Sequence, residues 1–443
     1  MLYLKSLEIE NVRCFGRKQH IDFTGNNGKI SQWTVILGDN GTGKTSILRS
    51  VVSLLPSPQS FLIKRSNSDT EYNLSINNEW RNVWDLKHKD GENDSIINLC
   101  VAECVQSFDS EYETELTLKH IVNHKLTGSE NSYLKPSMFD TKVLSPVYCF
   151  AYGANRKMAE KSLSDESFNN TSETLFKDDA LLQNSSEYFL RIDYETAKSR
   201  GANTEKNRIK DLLLKVLPSG IKDIDVFKVG KLQREVRVNT DFGWVKLTDL
   251  SLGYKTTIAW LIDFATKMIY YNDKSTNPFE QPAILILDEI DLHMHPAWQR
   301  EIIENLTTLF PKTQFIATAH SPLIAQAALD SNLILLRREG DQVTVENTPE
   351  VIKSWRIDQI LTSDLFGLKG SRSKEIDAKI IRRRKLLIHK GELTDLENDE
   401  LNRLNQDIYQ MPIGETKAEI DAMDILRDFA NKMEDSKKKI YHD

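Results

Sequence analysis

Gly38-Asp39-Asn40-Gly41-Thr42-Gly43-Lys44-Thr45 fits the pattern G-x-x-x-x-G-K-[ST] without a mismatch. On its amino side stands an apolar, β-rich run, Trp33 to Leu37, and on its carboxyl side a helical pattern runs from Ser46 to Leu55. Strand, glycine loop and helix in that order turn a pattern into a phosphate-binding loop. Glycines at 38, 41 and 43 let the backbone wrap closely around an anion. The N–H groups of Gly41 to Thr45 then converge at a helix N-terminus carrying about half a positive charge. The expected nucleotide-binding wall is Asp39, Asn40, Gly41, Thr42, Gly43, Lys44, Thr45 and Ser46. Lys44 is expected to reach the β- and γ-phosphates and Thr45 to ligate magnesium, so the motif implies ATP and Mg²⁺.

A second element stands downstream. Ala283-Ile284-Leu285-Ile286-Leu287 is a continuous apolar run that ends in Asp288-Glu289. Such a run reads as a central parallel strand buried on both faces. At its carboxyl end Asp288 can face the magnesium while Glu289, pointing elsewhere, polarises an attacking water. Helix Trp298 to Leu309, strand Gln314 to Thr318, helix Pro322 to Ala328 and strand Leu333 to Arg337 follow in βαβ rhythm. Between the two motifs, Ile96 to Val105 and Glu111 to Leu118 alternate as an antiparallel layer would. Leu175 to Pro218 is spaced for helices, Ile221 to Leu247 alternates again, and Thr256 to Tyr271 is helical. The expected class is α/β: a P-loop ATPase head with an antiparallel β layer, a helical insertion and a mostly helical C-terminal region. The expected division is 1–155, an N-lobe with P-loop and antiparallel sheet; 156–249, linker, helical insertion and short strands; 250–352, a C-lobe; and 353–443, a helical partner-binding region.

Composition removes several classes. In 443 residues, Lys+Arg 58 against Asp+Glu 65 leaves a net charge of −7, so global charge gives no support for nucleic-acid binding. Cys14, Cys100, Cys104 and Cys149 are too few and scattered for a disulfide framework; a reducing compartment is expected, and Cys100 and Cys104 read as buried small hydrophobes. The start, MLYLKSLEIENVRCF, alternates like a first strand and lacks a signal-peptide core. No uncharged run approaches the roughly 18 residues that span a bilayer. A cytoplasmic protein with no membrane partner is expected.

Leu250-Ser251-Leu252-Gly253-Tyr254, placed ahead of helix 256–271, resembles the LSGGQ signature of ABC-type ATPases, with the serine and second glycine kept. His320 sits where the switch histidine of that superfamily sits. The resemblance implies an ATP-sandwiched head-to-head homodimer, or a higher even-numbered oligomer, in which Ser251 and Gly253 of one copy close over the γ-phosphate held by the other. LEIENVRCFG (7–16), AYGANR (151–156), LDEIDLHMHPAWQR (287–300) and ATAHSP (317–322) look like the SMC/RecF-type, OLD-like ABC ATPases. TLFKDDALLQNSSEYFLRIDY (174–194) and SWRIDQILTSDLFGL (354–368) resemble the ATPase subunits of Septu-type antiphage systems, including copies found with retrons. That resemblance implies Asp291 as the D-loop residue communicating between two sites, and catalytic roles for Glu289 and His320. It also implies a separate effector partner, an HNH nuclease, with a reverse transcriptase and the noncoding RNA/DNA of a retron as further partners.

The sequence departs from the family at one place: Tyr152, Gly153 and Arg156 occupy the region where relatives carry a Q-loop, and no glutamine stands there. His293, His295 and His320 invite a metal reading through His-x-His spacing, against which helix capping and dimer contacts explain the pair more simply. Arg338-Glu339-Gly340-Asp341 has a superficial Toprim likeness, but it reads as a hairpin turn and no nuclease site is expected in this chain. Arg382 to Lys385 is a basic run expected as a solvated helix face, with nucleic-acid contact the alternative. Trp355, Phe366 and Leu368 could anchor a partner or belong to the core. Two other functions stay open on sequence: a RecF-like repair ATPase that binds DNA directly, and a slow-hydrolysing ATP switch.

Overall fold

Trp33 to Leu37 carries no charge and only one polar residue, Thr34, itself buried, so this strand must be covered on both faces, and the wholly apolar Ala283 to Leu287 must be as well. In the computed structural model both lie inside one sheet. The structure describes residues 2–25, 27–55, 95–104, 112–122, 132–137, 148–159, 171–196, 200–229, 233–328, 331–347, 355–363, 365–368, 373–387 and 394–409. The strands are β1 (Leu2–Glu10), β2 (Gln19–Asp22), β3 (Trp33–Gly38), β4 (Ser95–Cys104), β5 (Tyr112–Val122), β6 (Ser132–Ser137), β7 (Cys149–Tyr152), β8 (Lys157–Met158) and β9 (Leu181–Leu182), then β10 (Ile221–Lys228), β11 (Arg234–Thr240), β12 (Gly243–Lys246), β13 (Ala283–Leu287), β14 (Thr313–Thr318), β15 (Asn332–Glu339) and β16 (Gln342–Asn347). The helices are α1 (Lys44–Leu54), α2 (Glu173–Phe176), α3 (Ser185–Thr196), α4 (Arg200–Val216), α5 (Leu252–Tyr271), α6 (Pro296–Leu309), α7 (Pro322–Ala327), α8 (Ile357–Thr362), α9 (Lys374–Leu387) and α10 (Asp395–Tyr409).

The central sheet has the order β16-β15-β3-β14-β13-β7, parallel throughout except for the β15–β16 hairpin. Successive side chains point to opposite faces of a strand, and the two cores divide accordingly. Val35, Leu37, Leu285, Leu287, Phe315 and Phe150 join a core with Phe189, Leu212, Phe264 and Ile302 of α3 to α6. Ile36, Ile284, Ile286, Ile316 and Ala151 join another with Ile47, Leu48 and Val51 of α1 and with Leu4, Leu7 and Leu99 of β1 and β4. The second core is closed by an antiparallel sheet of order β2-β1-β4-β5-β6. The outcome is an α/β head of three layers, the class the sequence predicts.

One buried polar residue joins two of those layers. Gln314 of β14 accepts from Leu4 N at 2.7 Å and donates to Leu4 O at 2.9 Å, beside the register shift that β1 makes between Leu4 and Ser6. A bulge leaves backbone groups without ladder partners, and the Gln314 amide supplies both a donor and an acceptor.

By its contacts the chain divides into Met1–Gly367 and Leu368–Asp443. Trp355 and Phe366 pack against the core of the first unit, while Leu368 is half exposed. In the second unit α9 and α10 are joined by Lys379–Asp407, Arg382–Glu400 and Arg383–Asn405 contacts. Two members of the basic run, Arg382 and Arg383, thus contact the following helix, while Arg382 and Lys385 stay exposed, as a solvated face requires. The stretch 160–170, read as linker, lies outside the described residues. Among the described residues no helix is long and apolar enough to cross a membrane.

Candidate functional site

Parallel strands in register bring their carboxyl ends to one edge, where loops can meet around a ligand. Here Ile36 pairs with Thr318, Ala317 with Leu287, and Leu287 with Tyr152. The loops after β3, β14, β13 and β7 therefore open on the same side. Gly43 caps α1 in the left-handed region, φ 87°. A Cβ there would meet Cys14 Sγ at 2.5 Å and the Phe15 ring at 2.7 Å, so both the backbone angle and the space demand glycine. No acidic residue belongs to the first turn of α1 itself. Lys44 Nζ donates to Gly38 O at 2.7 Å and Asp39 O at 2.9 Å. Burial pulls the Lys44 ammonium below the usual lysine range, opposed by the charges of Asp288, Glu289, Asp39 and Asp291.

Asp288 is clasped from two sides. Thr45 Oγ1 donates to its Oδ2 at 2.7 Å, and Thr318 Oγ1 donates to its Oδ1 at 2.6 Å. The Thr318 hydroxyl also accepts from Glu289 N at 2.7 Å. Glu289 itself holds a left-handed φ of 50°, a conformation that costs a non-glycine residue roughly 1–2 kcal/mol and needs support from its surroundings. Behind this turn Arg156 Nη2 donates to Glu289 O at 2.7 Å. Asp291 Oδ2 accepts from His320 N at 3.0 Å, tying the turn to the segment after β14.

A cavity of about 320 Å³ is lined by Arg13, Cys14, Asn40, Gly41, Gly43, Lys44, Thr45, Ser46, Asp288, Glu289 and His320. Residues far apart in sequence thus share one pocket, and two of them, Arg13 and Cys14, lie in the quoted LEIENVRCFG segment without an expected site role. They belong to the turn after β1, which the approach of Cys14 and Phe15 to Gly43 brings to the loop. Asp39, Thr42 and Asp291 are not among the lining residues; Thr42 Oγ1 donates to Asp39 O at 2.8 Å. Thr45 and Asp288 present the hard oxygen donors that suit Mg²⁺, and the loop N–H groups with Lys44 suit a triphosphate, so the residues fit ATP and Mg²⁺.

Ser251 and Gly253 are not among the lining residues. The helix begins at Leu252, four residues earlier than Thr256, so Gly253 lies within its first turn and Ser251 is its N-cap. Ser251 is exposed and makes no side-chain cap hydrogen bond. A Cβ on Gly253 would lie 2.2 Å from His293 O, so the glycine lets α5 seat against the loop after β13. His295 caps α6, its Nδ1 accepting from Ala297 N at 3.3 Å, and His293 takes a φ of 63°. Among the described residues no group of three His, Cys, Asp or Glu is placed to hold a metal ion alone. Tyr152 points away from the pocket, donating to buried Asp263 at 2.7 Å, which also accepts from Lys267 at 2.7 Å.

The sequence profile of the AAA ATPase domain matches residues 2–325, which include every element of this pocket. The chain belongs to the AAA ATPase domain family. It is accordingly a P-loop ATPase, with the AAA ATPase domain filling most of its first compact unit. The chain is 27% identical over 376 residues to the Septu protein PtuA of Bacillus mycoides (strain KBAB4), covering 83% of this chain and 45% of that protein. It is 25% identical over 355 residues to the retron Vc95 probable ATPase of Vibrio cholerae serotype O1 biovar El Tor, covering 66% of each. The chain therefore spans less than two thirds of the length of these relatives. Among solved structures it is similar, at a TM-score of 0.42 and 14% identity, to an SMC head bound to the C-winged helix domain of ScpA, covering 79% of this chain and 98% of that one.

Proposed function

We propose that the AAA ATPase domain binds and hydrolyses ATP as a head-to-head pair of chains and thereby gates a separate effector, an HNH-type nuclease, in a prokaryotic antiphage system. The observation that carries the pairing is the separation of the signature from the pocket: Ser251 caps α5 exposed and uncapped, away from the lining of its own P-loop. An exposed helix N-terminus is suited to a phosphate, and a second copy can present it. In this reading the loop N–H groups from Gly41 to Thr45 and Lys44 hold the β- and γ-phosphates. Arg13 adds positive charge at the pocket wall. Thr45 and Asp288 hold Mg²⁺, which when bound neutralises charge on the β- and γ-phosphate oxygens. Glu289 orients the attacking water and takes its proton, and His320 senses the γ-phosphate. Asp291, bonded to the His320 backbone, carries the state of one site toward the other. Similarity to the Septu and retron ATPases supports the defence role and the separate effector.

Mixing two disabled variants tests the pairing. Lys44→Met copies lack a working P-loop and Ser251→Arg copies lack a working signature. Equal mixing should restore about a quarter of the wild-type rate, since half of the pairs are mixed and each holds one intact site. A Ser251→Arg chain that hydrolyses ATP normally by itself contradicts the pairing.

A further inference from the structure

Arg156 is nearly excluded from solvent, at 2% exposure, yet only Nη2 is spent, on the carbonyl of Glu289. Its Nε and Nη1 have no hydrogen-bond partner among the described residues, and neither has the buried Oδ1 of Asp291. Burial of a guanidinium with unspent donors is costly unless nearby charge compensates it. Burial lowers the Arg156 pKa to about 10, against the opposing pull of Asp288, Asp291 and Glu289, so it remains a cation at neutral pH, surrounded by the carboxylates of the site.

Its stem is held rigidly. Ala151 N donates to Thr171 O at 2.8 Å and Gly153 N to Thr174 Oγ1 at 3.2 Å. The loop presses so close to α2 that a Cβ on Gly153 would stand 2.0 Å from Thr174 O. A side chain fixed at its base and aimed at the back of a strained turn is built to set that turn's position. The turn is the left-handed Glu289, whose side chain lines the pocket.

We propose that Arg156 is the positioning residue of Glu289: it pins the Glu289 carbonyl from behind. Resting on the reading of Glu289 as the water-activating group, this assigns to an arginine behind the turn the control of water geometry that no glutamine in the Tyr152–Arg156 loop can exert. Arg156 does not line the pocket and acts through Glu289.

The test compares Arg156→Met and Arg156→Lys in the full chain, alone and combined with Glu289→Gln. Binding of a fluorescent ATP analogue should change less than about threefold, because Lys44 and the loop N–H groups are untouched. Single-turnover hydrolysis should fall about a hundred-fold in Arg156→Met, the scale expected when a reacting group is displaced by about 1 Å. Arg156→Lys, which keeps a charge and a donor without the planar fork, should recover about tenfold of that loss. In the Glu289→Gln background Arg156→Met should cost nothing more. Independently of activity, hydrogen exchange in nucleotide-free protein should show residues 287–293 losing protection in Arg156→Met and keeping it in Arg156→Lys. Wild-type hydrolysis by Arg156→Met, or a full further loss in the Glu289→Gln background, overturns the proposal. Normal hydrolysis by Glu289→Gln alone would instead sink the underlying site reading, and the exchange result would still decide whether Arg156 holds the turn.

Discussion

Glu289→Gln should bind ATP as tightly as the native chain while its single-turnover hydrolysis falls by about 10²–10⁴, the usual worth of a general base. The substitution removes a proton acceptor and little else. Glutamine has the shape of glutamate, and the contacts that hold the turn are made by its backbone: Glu289 N to Thr318 Oγ1 and Arg156 to Glu289 O. The Asp288 clasp by Thr45 and Thr318 is likewise untouched. Rapid-quench measurement under excess enzyme reads the chemical step alone. A native rate would remove Glu289 from catalysis and with it the division of labour between the two adjacent carboxylates.

Lys44→Met should act on the other half of the site, on binding. The native ammonium sits against the carbonyls of Gly38 and Asp39, buried and surrounded by four carboxylates whose fields hold it charged. A charge-assisted hydrogen bond is worth about 1.5–3 kcal/mol, so loss of the ammonium should weaken ATP binding by roughly 10- to 150-fold. The fold should tolerate the change, because methionine fills most of the same volume and burial of a charge is costly to begin with. Thermal unfolding separates the two effects. Saturating ATP·Mg²⁺ raises the melting temperature of a protein that binds it only when folded, and at equal nucleotide concentration that rise should be clearly smaller in Lys44→Met. An undiminished rise would place the triphosphate elsewhere.

The parts of this molecule that were legible in its sequence are those in which chemistry is local. A glycine-rich loop between strand and helix, or an apolar run ending in Asp288-Glu289, states its geometry within a dozen residues. The α/β class followed from the same runs, since strands with no polar face must be inner strands. Residues whose meaning depends on what folds against them were not legible. Arg13 and Cys14 reach the pocket only because the turn after β1 packs on Gly43. Arg156 was a member of a motif without a task until the back of the Glu289 turn met its guanidinium. The task of Gln314 is visible only once the bulge of β1 supplies its partners. The start of α5 was placed late for a related reason: glycine disfavours a helix interior, but the approach of Gly253 to His293 O outweighs that preference.

In the proposed pairing, two chains complete each site. The most direct test is the mass in solution of the Glu289→Gln chain, in which ATP would persist unhydrolysed, with and without ATP·Mg²⁺. The account predicts that ATP·Mg²⁺ doubles the mass of the Glu289→Gln chain and that adding Ser251→Arg abolishes the doubling. An unchanged mass with ATP demonstrably bound would contradict it.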